Sequence, residues 1–239
     1  MSPTINRIMA ARIKCLIIDS VSIRLSIVDI HRNIYTCYTK TMTKPDATLF
    51  SLQQMIIDLS LIDRKHYFPG MKRHENDIEH SVAVAMLCWY IHDKLALDLD
   101  IAKILKYALT HDFVERYAGD TSTFASSEER AAKVIREQES LQKLSTEFSS
   151  FDDMIHVMKN YEDKLDEESL FVWSVDKMQA LIMGDMDNWK AYAEAPISYD
   201  DFTDKFDELY PKSSQYTKEV FRELVAYCKT TYYDRPKTS

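Results

Sequence analysis

Glycine is almost missing from this chain. Gly70, Gly119 and Gly184 are the only three in 239 residues, against a usual share of about 7 %, and that scarcity argues against a fold of many tightly turned strands. No G-x-G-x-x-G or G-x-x-x-x-G-K-[ST] string occurs. Any phosphate would therefore be held by a metal and basic side chains, not by a glycine-rich backbone cradle. Cysteine is sparse too. Cys15, Cys37, Cys88 and Cys228 are scattered, with no C-x-x-C spacing, so they read as reduced thiols of a cytoplasmic protein, with Cys88 a small buried hydrophobe. No run of about eighteen apolar residues exists, which argues against a membrane span. Net positive charge is also lacking: at -8 overall, the chain offers a polyanion such as nucleic acid little attraction, though a small nucleotide remains compatible.

What the chain does have is 46 % apolar residues, enough for one full core. From residue 46 the apolar spacing is helical. Leu49, Phe50, Leu52, Met55, Ile56, Ile57 and Leu59 gather near one face of a helix over 47–60. Pro69 and Gly70 break the chain before a helix over 77–92. A helix over 99–117 carries Ile101, Ile104, Leu105, Ala108 and Leu109 on one side. Further helices are expected over 127–145, 150–163 and 167–184, the last stopped by Gly184. Two more follow around Tyr210 and Pro211. The tail aromatics Phe202, Phe206, Tyr210, Tyr216, Phe221, Tyr227 and Tyr232 read as core. The expected fold is an all-α helical bundle over residues 45–239.

Residues 1–44 differ in character. They carry seven Lys/Arg against Asp19 and Asp29, and Arg12–Asp19 and Arg24–Ile30 alternate apolar with polar residues, as short strands do. A β-hairpin, a transit peptide and translated upstream sequence with the true start at Met42 are the three readings, the last being preferred; the extension is short β or disordered.

The candidate chemistry lies in His111 and Asp112, with His80 upstream and Asp176 downstream. Each has a bland alternative. His80 could be a satisfied core histidine, and the His111–Asp112 pair could cap a helix. Asp176 sits in an apolar helical run, where an unpaired carboxylate would cost several kcal/mol. Its neighbour Lys177 is expected to point about 100° away around the helix, leaving a metal as the better partner. The second such dipeptide, His92–Asp93, is expected to be solvated punctuation at a helix end. Only after His111–Asp112 does a carboxylate follow on the same helical face, Glu115 at i+4 and i+3. Gly119 then ends the helix in a left-handed conformation, and Asp120, Thr121, Ser122 and Thr123 form a turn of short oxygen side chains. That turn suits a sugar, or caps the following helix.

These residues resemble the HD-domain superfamily of metal-dependent phosphohydrolases. Arg73, Glu75, Asn76, Glu79, His80 and Ser81, followed by His111, Asp112, Glu115, Gly119 and Asp120, are similar to its 5′-deoxynucleotidase branch over about residues 47–185. The resemblance implies a hydrolase of (deoxy)nucleoside 5′-monophosphates, a small-molecule nucleotide being its partner. It implies one divalent ion held by His80, His111, Asp112 and Asp176, with Glu115 as catalytic carboxylate and Asp120 to Thr123 as sugar turn. Relatives that cleave nucleoside triphosphates or release pyrophosphate share the ligands, and a non-catalytic metal-binding helical protein is the contrasting class. The branch has an Arg-Trp pair ahead of the first motif, the arginine orienting phosphate and the tryptophan helping to select deoxyribose. Here Arg64 is followed by Lys65, with Tyr67 or Phe68 as substitutes for the lost ring and Arg73 as the reserve phosphate ligand. Two imidazoles with two carboxylates favour Mn, Co, Zn, Ni or Fe over Mg. Family analogy also implies a homodimer through the aromatic tail.

Overall fold

The computed structural model describes residues 46–195 and 197–234. The readings made for residues 1–44 lie outside them. Among the described residues the fold is all-α apart from one small sheet, as the periodicity predicts. Helix α1 (Ala47–Leu59) leads into strand β1 (Asp63–Tyr67), which pairs antiparallel with β2 (His74–Asn76), with an irregularity between the paired ends. The sequence reading placed only a chain break here. Two short polar strands carry almost no apolar alternation, so the hairpin leaves little signal.

Asn76 ends β2 and starts α2 (Asp77–Leu95). Its side chain accepts from the Ile78 and Glu79 amides while Glu79 bonds back, a capping box that fixes where the helix begins. The helix runs past His92 and Asp93 to a left-handed cap at Ala96 (φ 48°). The His92 ring donates from Nε2 to the Leu99 carbonyl at 2.9 Å. The pair does stand at the helix end and Asp93 is exposed, but His92 is half-buried and ties down the following loop, where the expectation had it solvated.

Helix α3 (Ile101–Thr110) is capped by Asp100, and the single helix expected over 99–117 is broken. Short i→i−3 bonds from Phe113 to Thr110, Glu115 to Asp112 and Arg116 to Phe113 tighten the chain before α4 (Glu115–Ala118). The break lets His111 face one group of helices while Phe113 and Val114 are buried against α1 and the helices that follow. Those are α5 (Ser127–Glu147), with a Ser126–Glu129 capping box, and α6 (Asp152–Glu162).

Helix α7 (Glu167–Met186) is the buried spine. Gly184 lies inside it and does not end it. A Cβ there would sit 2.5 and 2.7 Å from Trp189 ring carbons, so the glycine exists to admit the indole. Helix α8 (Lys190–Glu194), α9 (Tyr199–Leu209), a 3-10 turn (Tyr210–Lys212) and α10 (Lys218–Tyr233) complete the described residues. Phe202, Phe206, Phe221 and Tyr232 are fully buried with α2, α3 and α7. These tail aromatics belong to the chain's own core, whereas Tyr227 is exposed.

Candidate metal centre and cleft

His80, one turn into α2, is completely buried. Its Nε2 lies 3.1 Å from His111 Nε2, 3.1 Å from Asp176 Oδ1 and 3.5 Å from Asp112 Oδ2; His111 Nε2 is 3.2 Å from Asp112 Oδ2. Three elements deliver them: α2, the break after α3, and the middle of α7.

The outer edges of both imidazoles are fixed. His111 donates from Nδ1 to the Ala108 carbonyl at 2.8 Å. His80 donates from Nδ1 to Gln179 Oε1 at 2.9 Å, and the Gln179 amide nitrogen donates to Glu75 Oε1 at 2.8 Å. The carboxylate orients the amide, and the amide orients the ring. Both Nε2 lone pairs therefore turn inward onto two carboxylate oxygens, a set that repels itself unless a proton or a cation lies within it. Within the trio His80, His111 and Asp112, whose donor atoms all lie within 4.8 Å of one another, the separations approach the roughly 3.0–3.4 Å edges of ligands about 2.1 Å from one ion, while Asp176 Oδ1 stands beside the trio, 3.1 Å from His80 Nε2. The donor set thus fits a divalent metal.

The electrostatics follow from burial and crowding. Burial, with the Arg64 charge, lowers the His80 pKa. The Asp112 and Asp176 carboxylates raise that of His111 against the opposing effect of burial. Burial would also raise Asp176, but the Lys177 ammonium and His80 hold it well below the carboxylate range. Lys177 Nζ is 2.8 Å from Asp176 Oδ2. This corrects the expectation that Lys177 faces elsewhere: its stem is long enough to curl back over its neighbour.

A second acidic group adjoins the first through Asp112. Asp77, Asp112 and Glu115 bring carboxylate oxygens within 4.8 Å of one another. Arg64, delivered by β1, stands among them, with Nη1 2.6 Å from Asp112 Oδ2, 3.3 Å from Asp77 Oδ1 and 3.9 Å from Glu115 Oε2. Burial and the neighbouring carboxylates push the Asp77 pKa up to about 7 and that of Glu115 well above its usual range. Glu115 Oε2 and Asp77 Oδ2 are buried without a hydrogen-bond partner. Lys133, from α5, sits 3.8 Å from Glu115 Oε1 and 3.1 Å from Glu137.

A cleft of about 400 Å³ opens on these groups. Arg64, Asp112, Glu115, Asp176, Lys133 and Lys177 form its charged end, and Phe124, Tyr192, Ile197 and Phe206 contribute an apolar wall. Asp120, Thr121, Ser122 and Thr123 all line it, after Gly119 at φ 72°, ψ 156°, a conformation open essentially to glycine alone. Lys65 reaches its rim. Arg73 is outside the lining: it grips Glu79 through two bonds of 2.6 and 2.7 Å and lies over Phe68. Tyr67 is outside it as well, stacked on His74. Strand alternation gives the inward position beside Arg64 to His66, which sequence reasoning missed. Gln179, three residues after Asp176, and Asp77, three before His80, had a helical-face signal. Lys133 had none, since Lys133 and Glu137 read as an ordinary surface pair.

A family model described as an HD domain matches residues 59–216. A predicted metal-dependent phosphohydrolase from Magnetospirillum magnetotacticum MS-1 has a similar structure, with a TM-score of 0.64 and 21 % identity over 80 % of this chain and 100 % of that one. A conserved hypothetical protein from Pyrococcus furiosus gives 0.54 and 21 %, covering 73 % and 98 % respectively. At such identity the two likenesses concern the fold. No match to a curated protein reaches significance.

Proposed function

This chain belongs to the HD-domain family, and we propose that it is a metal-dependent phosphohydrolase acting on nucleoside 5′-monophosphates. The observation that carries the reading is that His80, His111 and Asp112 bring donor atoms within 4.8 Å of one another, with Asp176 against His80, at the end of a cleft lined by Asp112, Asp176, Arg64 and Glu115. His80, His111, Asp112 and Asp176 would hold the ion; two nitrogens and two oxygens suit Mn, Co, Zn, Ni or Fe better than Mg. When bound, it supplies Lewis-acid polarisation of phosphate and acidifies water.

The chain's own residues do the rest. Arg64 turns from Asp112 toward the phosphate and clamps two of its oxygens, while Lys133 and Lys177 add positive charge around it. Glu115, buried with one oxygen unpartnered, handles the proton, taking it from attacking water or giving it to the leaving 5′-oxygen. Such acid–base help is worth about 10²–10⁴ in rate. The turn from Asp120 to Thr123 offers oxygens to the sugar, and Phe124 and Tyr192 offer surface to the base.

The test is phosphate release from ribo- and deoxyribonucleoside mono-, di- and triphosphates by metal-stripped protein resupplied with Mn, Co, Zn or Mg. Orthophosphate from monophosphates is expected. Cleavage of triphosphates alone would move the protein to the triphosphohydrolase class, and silence with metal bound would make it a non-catalytic metal protein. Asp112→Asn should lose metal and turnover together. Glu115→Gln should keep the metal and lose turnover by about 10²–10⁴; full activity in that variant would remove Glu115 from the mechanism.

A further inference from the structure

Strand β1 alternates, so Arg64 and His66 share its inner side. Arg64 marks the phosphate end through its contact with Asp112. His66 stands two residues further along, about 7 Å away at strand spacing. It lines the same cleft and is 9 % exposed. Its ring is tilted against Tyr192 at 5.3 Å between centroids. The Nδ1 atom is buried without a partner, leaving Nε2 as the nitrogen able to meet a molecule in the cleft. An unsatisfied buried polar group costs about 1–3 kcal/mol, a cost that a phenylalanine packed on Tyr192 would not incur. What the histidine offers the cleft that a phenylalanine would not is the polar edge at Nε2.

The partner's chemistry is constrained. Burial above all, then the charges of Arg64, His80 and His74, brings the His66 pKa down to about 3, so the ring meets a ligand as neutral imidazole, one nitrogen donating and the other accepting. A neutral ring matches a neutral hydroxyl better than an anionic phosphate, which Arg64, Lys133 and Lys177 already serve. In a nucleoside 5′-phosphate the sugar hydroxyls lie a few bonds, roughly 5–7 Å, from phosphorus, the same span that separates His66 from Arg64 on the strand.

We propose that His66 forms a sugar-hydroxyl subsite, hydrogen bonding through Nε2 to a ring hydroxyl of the substrate and making that hydroxyl a requirement for efficient turnover. The inference rests on the nucleotidase reading. Its test compares wild type, His66→Phe and His66→Gln on a ribonucleoside 5′-monophosphate and its 2′-deoxy and 3′-deoxy analogues, with thermal melting of each protein alongside.

His66→Phe is expected to melt no lower than wild type, because it removes an unsatisfied nitrogen and keeps the ring on Tyr192. It should lower kcat/KM 10- to 100-fold on the ribonucleotide, mainly through KM, and have little effect on the one analogue that lacks the contacted hydroxyl. His66→Gln, whose amide reaches the Nε2 position, should restore part of the loss. An equal loss on all three substrates, or no loss on any, overturns the subsite while the nucleotidase reading stands. No phosphate from any of the three with wild type overturns both.

Discussion

Replacing Gln179 with leucine would test whether the metal centre is held from outside its own ligands. Gln179 makes two buried bonds, accepting from His80 Nδ1 at 2.9 Å and donating to Glu75 Oε1 at 2.8 Å. Leucine fills much the same volume and removes both. His80 Nδ1 is then left with only Glu75 Oε2, 3.8 Å away and beyond hydrogen-bond reach, so its Nε2 lone pair is less firmly committed to the centre. Loss of such an outer partner typically weakens metal binding 10- to 100-fold, or about 1.4–2.8 kcal/mol. Glu75 suffers separately. Its Oε2 is already buried without a hydrogen bond and lies 4.0 Å from Arg64 Nε, so losing the Gln179 donor leaves the whole carboxyl without a hydrogen bond and costs about 1–3 kcal/mol of stability. Chelator competition with Zn or Mn on metal-stripped protein reads the first effect, and thermal melting of the same protein reads the second. A Gln179→Leu variant that is folded and binds metal within twofold of wild type would refute the orienting chain from Glu75 through Gln179 to His80.

Three further outcomes follow from particular contacts. Gly184→Ala gains about 1 kcal/mol of helix propensity but drives a methyl into Trp189, whose φ of 59° and complete burial leave the indole no retreat; a net loss near 2 kcal/mol, roughly 4–8 °C in Tm, is expected, and an unchanged or higher Tm would disprove the clash. Burial pushes Glu162 up to about 7 from 4.5, against the pull of Lys164, so the folded chain keeps a proton that the unfolded chain releases. Stability should fall as pH rises from 4.5 to 7 and level off above, and Glu162→Gln should exceed wild type by about 1–3 kcal/mol at pH 8. Parallel pH–stability curves for the two proteins would remove that assignment. Lys133→Met takes away the cation 3.8 Å from Glu115 and should raise KM for the phosphate substrate several-fold with metal affinity unchanged; an unaltered KM would place Lys133 outside the phosphate site.

The helices were legible because their cause is local. Apolar residues recur at helical spacing, and capping residues such as Asn76, Ser126 and Ser198 stand where helices begin. The metal-ligand candidates were legible because an aspartate in an apolar helix and a His-Asp pair followed by a glutamate are costly unless something binds them. Less visible were features whose cause lies across the chain. The helix break after Thr110 exists because His111 and Phe113 belong to different packing groups. Gly184 admits an indole five residues later, and Lys177 folds back on Asp176 because both emerge where α7 lines the cleft.

The sequence by itself determined a helical bundle from residue 46 onward and the chemistry available to it: two imidazoles, two carboxylates, a neighbouring glutamate, and no glycine-rich cradle for phosphate. Periodicity, capping and the energetic cost of buried charge are properties of short stretches, and residue identity alone carries them. Only the tertiary structure decided which groups meet. It seated Arg64 among four carboxylates, chained Glu75 and Gln179 to the back of His80, and turned His66 into the cleft while sending Tyr67 and Arg73 elsewhere. Each of those placements joins residues far apart in the chain, and such distances are set by packing and hydrogen-bond satisfaction in three dimensions, which a linear pattern does not encode.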